Sequence, residues 1–188
     1  MKQDFLKYQA QTSPYPLAME VSYAKGSYIF DTNGKKYLDF VAGVSACSLG
    51  HQHPRVNQAI KDQLDKYSHV MVYGEYIQDA QLALAENLAS VLPASLSCSY
   101  IVNSGTEANE AAVKLAKRVT KRKHIVACEG AYHGSTHGSL SFTNNETKKA
   151  AFTPLLPNVD FIKFNDIASL EVITEATACV IIETIQGD

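Results

Sequence analysis

From Ser97 onward, short apolar runs of strand length alternate with segments of helical period, and that rhythm admits few architectures. The runs stand near Ser99 to Val102, His124 to Ala127, Val159 to Phe164 and Ala178 to Glu183. The last of them, Ala-Cys-Val-Ile-Ile-Glu, is apolar on both faces, as expected of a central parallel strand. The pattern predicts an α/β fold, a mostly parallel sheet with flanking helices. Ligands of such sheets collect beyond the carboxyl ends of the strands. Asn103-Ser104-Gly105, Glu129 to Gly134 and Glu183 to Asp188 all lie at those ends.

Before this region the chain reads differently. Extended segments Val21 to Ala24, Ser27 to Asp31 and Lys36 to Phe40 are separated by Lys25-Gly26 and by Asn33-Gly34, a strong hairpin signal. A Gly-spaced loop, Ala42 to His53, leads to Pro54, a favoured first helical residue. Helices are expected from Pro54 and over Ile77 to Leu92, the second stopped by Pro93. These features divide the chain into a segment 1–53 with short β-hairpins and an α/β region 54–188.

The junction Asn103-Ser104-Gly105-Thr106-Glu107-Ala108-Asn109-Glu110 carries the first chemistry. An apolar run, Cys98 to Val102, meets a helix whose apolar positions Ala108, Ala111, Ala112, Leu115, Ala116 and Val119 follow one face. Ser104 and Glu107 have capping-box spacing, which fixes the first turn and leaves other amides pointing outward. Free amides at a helix start bind anions, and Ser104 and Thr106 add hydroxyls there, so the segment reads as a phosphate cradle. The bland alternative is a capped amphipathic helix with nothing bound. A P-loop is disfavoured, because no Gly-Lys-Ser/Thr follows. Glu110 and Lys114 form a favoured i,i+4 pair.

Two more segments share that edge. Gly130-Ala131-Tyr132-His133-Gly134 offers a ring and an imidazole to a flat heteroaromatic ligand, or is a flexible loop around a packed tyrosine. Glu183 emerges from an apolar strand, which is costly unless it meets a donor or cation; a solvated strand end is the alternative. His133 and His137 have metal-like spacing only in a helix, which Gly134 and Gly138 oppose, and His51-x-His53 is short of ligands, so no metal is expected.

Net charge is −2 with interspersed signs, which excludes a nucleic-acid stripe, and no apolar run reaches spanning length. The start of the chain lacks a signal-peptide core. Cys47, Cys98, Cys128 and Cys179 form no C-x-x-C and fit buried free thiols in a reducing, cytoplasmic setting.

Five motifs in order resemble the class III (ω-) aminotransferases, pyridoxal-phosphate enzymes of fold type I. They are Gly26-x-Tyr28-x-x-Asp31-x-x-Gly34-x-x-Tyr37-Leu38-Asp39-Phe40, Gly50-His51-x-His53-Pro54, Asn103 to Glu110, Tyr132-His133-Gly134 and Glu183-x-x-Gln186-Gly187. The resemblance runs from Gly26 to Asp188 and implies the N-terminal part of that fold. It implies that Ser104, Gly105 and Thr106 bind the phosphate of pyridoxal 5'-phosphate, that Tyr132 stacks on its ring with His133 beside it, and that Glu183 sits near its reactive edge. It places Val44 and Asp188 near the substrate; Asp188 stands where Glu is usual, and Thr184 replaces the usual Pro. Within the family, Asn109-Glu110 resembles the acetylornithine, ornithine and 4-aminobutyrate group, which moves an amino group from an ω-amino donor to a 2-oxo acid, 2-oxoglutarate.

The same resemblance places the cofactor-bonding lysine, the acid facing the pyridine nitrogen and the substrate arginines downstream. No catalytic residue is therefore expected within these residues, and the chain taken alone is expected to be inactive. The competing expectation is a non-catalytic module that binds a phosphorylated ligand or a partner. A homodimer is expected, because the family builds its active sites at a dimer interface.

Overall fold

A computed structural model describes residues 1–71 and 73–187. The chain forms two compact units, Met1–Gln78 and Asp79–Asp188. The division drawn from the sequence at 53/54 falls inside the first of these.

In the first unit, helix α1 (Lys2–Tyr8) precedes an antiparallel meander of β1 (Val21–Lys25), β2 (Tyr28–Asp31) and β3 (Lys36–Leu38), in the order β1-β2-β3. Tyr23 and Phe30 stack across β1 and β2 at 4.4 Å between centroids. Asp31 closes the following turn: its Oδ1 accepts from the Asn33 and Lys35 amides, each at 2.9 Å, and its Oδ2 from the Tyr37 hydroxyl at 2.9 Å. The Lys35 amide is the largest cause holding the Asp31 carboxyl below its ordinary range. Gly50 lies against Gly26 O, which a Cβ would approach to 3.1 Å, and Gly26 and His51 form a single antiparallel bridge. His51 Nε2 stands 2.7 Å from Asp39 Oδ2. Helix α2 (Pro54–Lys66) begins at the expected proline.

The second unit opens with α3 (Asp79–Val91) and the long helix α4 (Gly105–Thr120). Strands β4 (His124–Cys128), β5 (Val159–Ile162) and β6 (Thr177–Ile181) follow, all parallel, in the order β5-β4-β6. Between β4 and β5 come two short helices, α5 (His137–Ser141) and α6 (Glu146–Lys149), and a 3-10 turn, Ala150–Phe152; a second 3-10 turn, Ile167–Val172, joins β5 to β6. The core alternates across β4 as strand geometry requires. Ile125 and Ala127 pack with Val113 of α4 and Phe142, whereas Val126 and Cys128 pack with Ala131 and Ile162. Helix α4 is capped at Ser104, whose side chain accepts from the Glu107 amide, and ends in a left-handed Lys121.

Three expectations need correction. Residues 98–102 form no strand; among the described residues they have no sheet neighbour, and a strand exists only as one side of a pair. Cys98 is accordingly exposed rather than buried. The central strand is β4, not β6, so Val180 and Ile182 are 41% and 61% exposed. The alanine stripe of α4 is open rather than packed on the sheet. Ala108, Ala111, Ala112 and Leu115 line an open groove of about 900 Å³ with Tyr100, while Val113 is buried against β4. No helix among the described residues is long and apolar enough to cross a membrane.

Candidate functional site

The carboxyl ends of β4 and β6 lead into two of the singled-out segments, and α4 brings the third to them. After β4 the chain turns at Gly130, and Gln186 Nε2 from the segment after β6 donates to Glu129 O at 2.7 Å. Asn109 Nδ2 of α4 donates to His133 O at 2.7 Å. Ser139 Oγ donates to Thr106 O at 3.2 Å. These bonds tie the helix start, the ring-bearing loop and the acid-bearing strand end into one corner.

At the helix start, the Asn103 amide and the Ser104 hydroxyl both donate to Glu107 Oε2, at 2.8 and 3.2 Å. Ser104 Oγ in turn accepts from the Glu107 amide at 3.3 Å. The capping box of the sequence is thus present, with Glu107 reaching one residue further back than the usual pattern. Gly105 and Thr106 occupy the first two helical positions, whose amides have no acceptor within a helix. A Cβ at Gly105 would meet nothing within 4 Å, so the helix start is open on that side.

The loop after β4 packs onto the same helix turns. Thr106 Oγ1 lies 2.8 Å from Thr136 Oγ1, and Thr136 donates to Glu110 Oε1 at 2.5 Å. Glu110 Oε1 also accepts from the Ser139 amide at 3.2 Å. Two glycines make this approach possible. A Cβ on Gly134, at φ +127, would overlap the Thr106 side chain, and one on Gly138 would overlap the Glu110 carboxylate.

Tyr132 is half-exposed, its hydroxyl 3.2 Å from Ser135 Oγ and Lys148 Nζ 5.1 Å from its ring centroid. His133 is buried at 6% exposure beside Phe142, and its amide donates to Thr143 Oγ1 at 3.2 Å. Its Nε2 is buried without a partner among the described residues, and so is Glu183 Oε2. Burial pushes the His133 imidazole below its ordinary pKa, with the Glu183 carboxylate opposing in part. Burial and the same carboxylate push the Cys128 thiol up.

Of the residues singled out in the sequence, Ser104, Gly105, Thr106, Tyr132, His133 and Glu183 lie in this unit, on the segments just described. Val44 belongs to the other unit, where it is 87% exposed in a left-handed conformation, φ +55. Asp188 lies outside the described residues. His137 opens α5 whereas His133 precedes it, so the two share no helix. Sequence reasoning missed Glu110, Thr136 and Ser139 as parts of this corner. The two glycines four residues apart were the available signal of close backbone approach.

Residues 8–188 match the family described as aminotransferase class-III. The chain belongs to this family. It is 42% identical over 165 residues to the acetylornithine aminotransferase of Archaeoglobus fulgidus, covering 87% of this chain and 43% of that one. A [LysW]-aminoadipate semialdehyde/glutamate semialdehyde transaminase of Sulfolobus acidocaldarius is 40% identical, with 87% and 42% covered. The ornithine aminotransferase of Toxoplasma gondii, a structure with partial occupancy of pyridoxal phosphate, superposes with a TM-score of 0.83 at 27% identity, covering 98% of this chain and 44% of that one. The chain therefore spans less than half the length of these class-III relatives, and its α/β fold is that of their matching part.

Proposed function

We propose that this chain carries the pyridoxal 5'-phosphate seat of an aminotransferase that moves an amino group from an ω-amino donor of the acetylornithine, ornithine or 4-aminobutyrate type to 2-oxoglutarate. The observation that carries this reading is the position of the Gly105 and Thr106 amides in the first turn of α4, where a helix offers them no acceptor, on a helix pinned to the loop of Tyr132 and His133. The names of the relatives support the donor class.

The residues present fit a phosphorylated heteroaromatic ring. The Gly105 and Thr106 amides and the positive end of α4 bind a dianion. The half-exposed Tyr132 ring supplies a stacking face. Two buried polar atoms without partners among the described residues, His133 Nε2 and Glu183 Oε2, are the kind that a ligand satisfies. Bound there, the cofactor supplies an electron sink that the side chains lack. His133, kept neutral at pH 7 by its burial, holds one proton on its imidazole and offers the other nitrogen as an acceptor. Glu183 is an acceptor or, protonated, a donor at the same site. Lys148 approaches the Tyr132 ring and is not assigned to bond the cofactor.

Val44 and Asp188 are assigned to the substrate end, and the working assembly to a cytoplasmic homodimer. The 188 residues taken alone are assigned no turnover. Equilibrium dialysis of the full-length gene product against pyridoxal 5'-phosphate tests the cofactor: saturable one-to-one binding with a bound-cofactor absorbance band is expected, and its absence rejects the reading. Steady-state assay with acetylornithine, ornithine and 4-aminobutyrate, each with 2-oxoglutarate, then ranks the donors.

A further inference from the structure

We propose that Glu110 is a positioning residue for the anion seat: through Thr136 and Ser139 it latches the loop 133–139 to the first turns of α4, and it fixes the direction in which the Thr106 hydroxyl points its proton. The inference rests on the cofactor reading above and deepens it.

Proton counting supplies the second half. Thr136 Oγ1 has one hydrogen, and it goes to Glu110 Oε1 at 2.5 Å. The 2.8 Å contact between Thr136 and Thr106 must then use the Thr106 hydrogen. The chain Thr106 O–H to Thr136 O–H to Glu110 carboxylate runs one way only. Ser104 behaves alike, its hydroxyl donating to Glu107 Oε2. Both hydroxyls at the helix start are thereby committed as donors, Ser104 to the Glu107 carboxylate and Thr106 to the Thr136 hydroxyl, and the donors left for an incoming ester are the Gly105 and Thr106 amides.

Geometry supplies the first half. Glu110 is the one carboxylate among the described contacts that reaches both a side chain and a backbone amide of the loop, at Thr136 and Ser139. Gly138 leaves room for it, since a Cβ there would overlap the carboxylate. Removing it takes away two of the bonds between the loop and α4 and leaves Asn109 to His133 and Ser139 to Thr106, so the loop that bears Tyr132 is held less tightly to the helix that bears the amides. A ligand that uses both, ring and phosphate together, loses the fixed spacing between them. A ligand that lacks the phosphate uses only one and is indifferent.

The test is the ratio of affinities for pyridoxal 5'-phosphate and for phosphate-free pyridoxal, measured by equilibrium dialysis on the full-length protein. Glu110→Ala is expected to lower that ratio about tenfold, the scale of a lost charged hydrogen bond, while Glu110→Gln, which keeps an acceptor oxygen, stays within about threefold of wild type. A ratio unmoved in Glu110→Ala overturns the inference and leaves the cofactor reading standing. Equal loss in Glu110→Gln also overturns it, since charge and not the bonds would then matter. Wild-type protein that binds neither compound rejects both. Should Glu110→Ala not fold, Thr136→Val breaks the hydroxyl chain alone: a drop of about threefold is expected, and no drop overturns the inference.

Discussion

His133 Nε2 and Glu183 Oε2 are both buried without a hydrogen-bond partner among the described residues, yet the carboxylate is near enough to act on the imidazole's charge. Burial lowers the His133 pKa and Glu183 raises it, with burial the larger effect. A histidine with a lowered native pKa favours folding above its unfolded value of 6.5, where neither state holds the proton. As the pH falls below 6.5 the unfolded chain takes up a proton first, and stability declines until the native pKa is passed. We expect Tm to fall as pH drops below that value and His133→Asn to flatten the slope. In an NMR titration, Glu183→Gln should move the His133 midpoint further down. An upward shift would reverse the assigned sign.

Gly105 offers a way to separate fold from ligand. Its Cβ position is open and its φ is not positive, so Gly105→Ala should leave stability unchanged or raise it by up to about 1 kcal/mol from helix propensity. The added methyl enters the space in front of the amides. Affinity for pyridoxal 5'-phosphate should fall at least severalfold, checked by dialysis alongside calorimetry. Unchanged affinity would place the ester elsewhere.

Ser104→Ala removes the acceptor for the Glu107 amide and the donor to Glu107 Oε2. The cost expected for an N-cap of this kind is about 1 kcal/mol, read from urea denaturation. Because the hydroxyl proton is committed to Glu107, cofactor affinity should change little beyond that.

Gly134→Ala combines a positive φ of +127 with overlap onto Thr106, and should destabilise by about 2–4 kcal/mol. Gly138→Ala meets only the Glu110 carboxylate, the far end of a side chain, and should cost less in urea. It should nevertheless reproduce the altered affinity ratio of Glu110→Ala.

The thiols should divide by exposure. Cys98 is exposed, whereas Cys128 is 2% exposed with its pKa pushed up by burial and by Glu183. Iodoacetamide at pH 8 should label Cys98 within minutes and Cys128 only after denaturant, as read by peptide mass spectrometry.

What the sequence disclosed was what is local. The capping box at Ser104 and Glu107 lies within one turn, and β4 announces itself because five consecutive residues pack on both faces of a sheet. Pairing is not local. Cys98 to Val102 has strand composition but no neighbour to bond, and the apolar run of β6 does not say whether it lies at the centre or the edge. The inward face of α4 is not local either. Its first turns meet a loop, whose backbone needs hydrogen-bond partners, so Thr106, Asn109 and Glu110 face inward where a search for apolar spacing finds alanines instead. Glu110 meets Thr136 across 26 residues, a contact no periodicity encodes.

The parallel register also separates two kinds of engineering. His124 and Asp160, whose Nδ1 and Oδ2 are 3.1 Å apart, sit near the amino-terminal ends of β4 and β5, at the rim away from Glu129 and Gln186. Residues there set how firmly the layers hold without touching a ligand. Stabilising substitutions belong at that rim, and changes of specificity at the other.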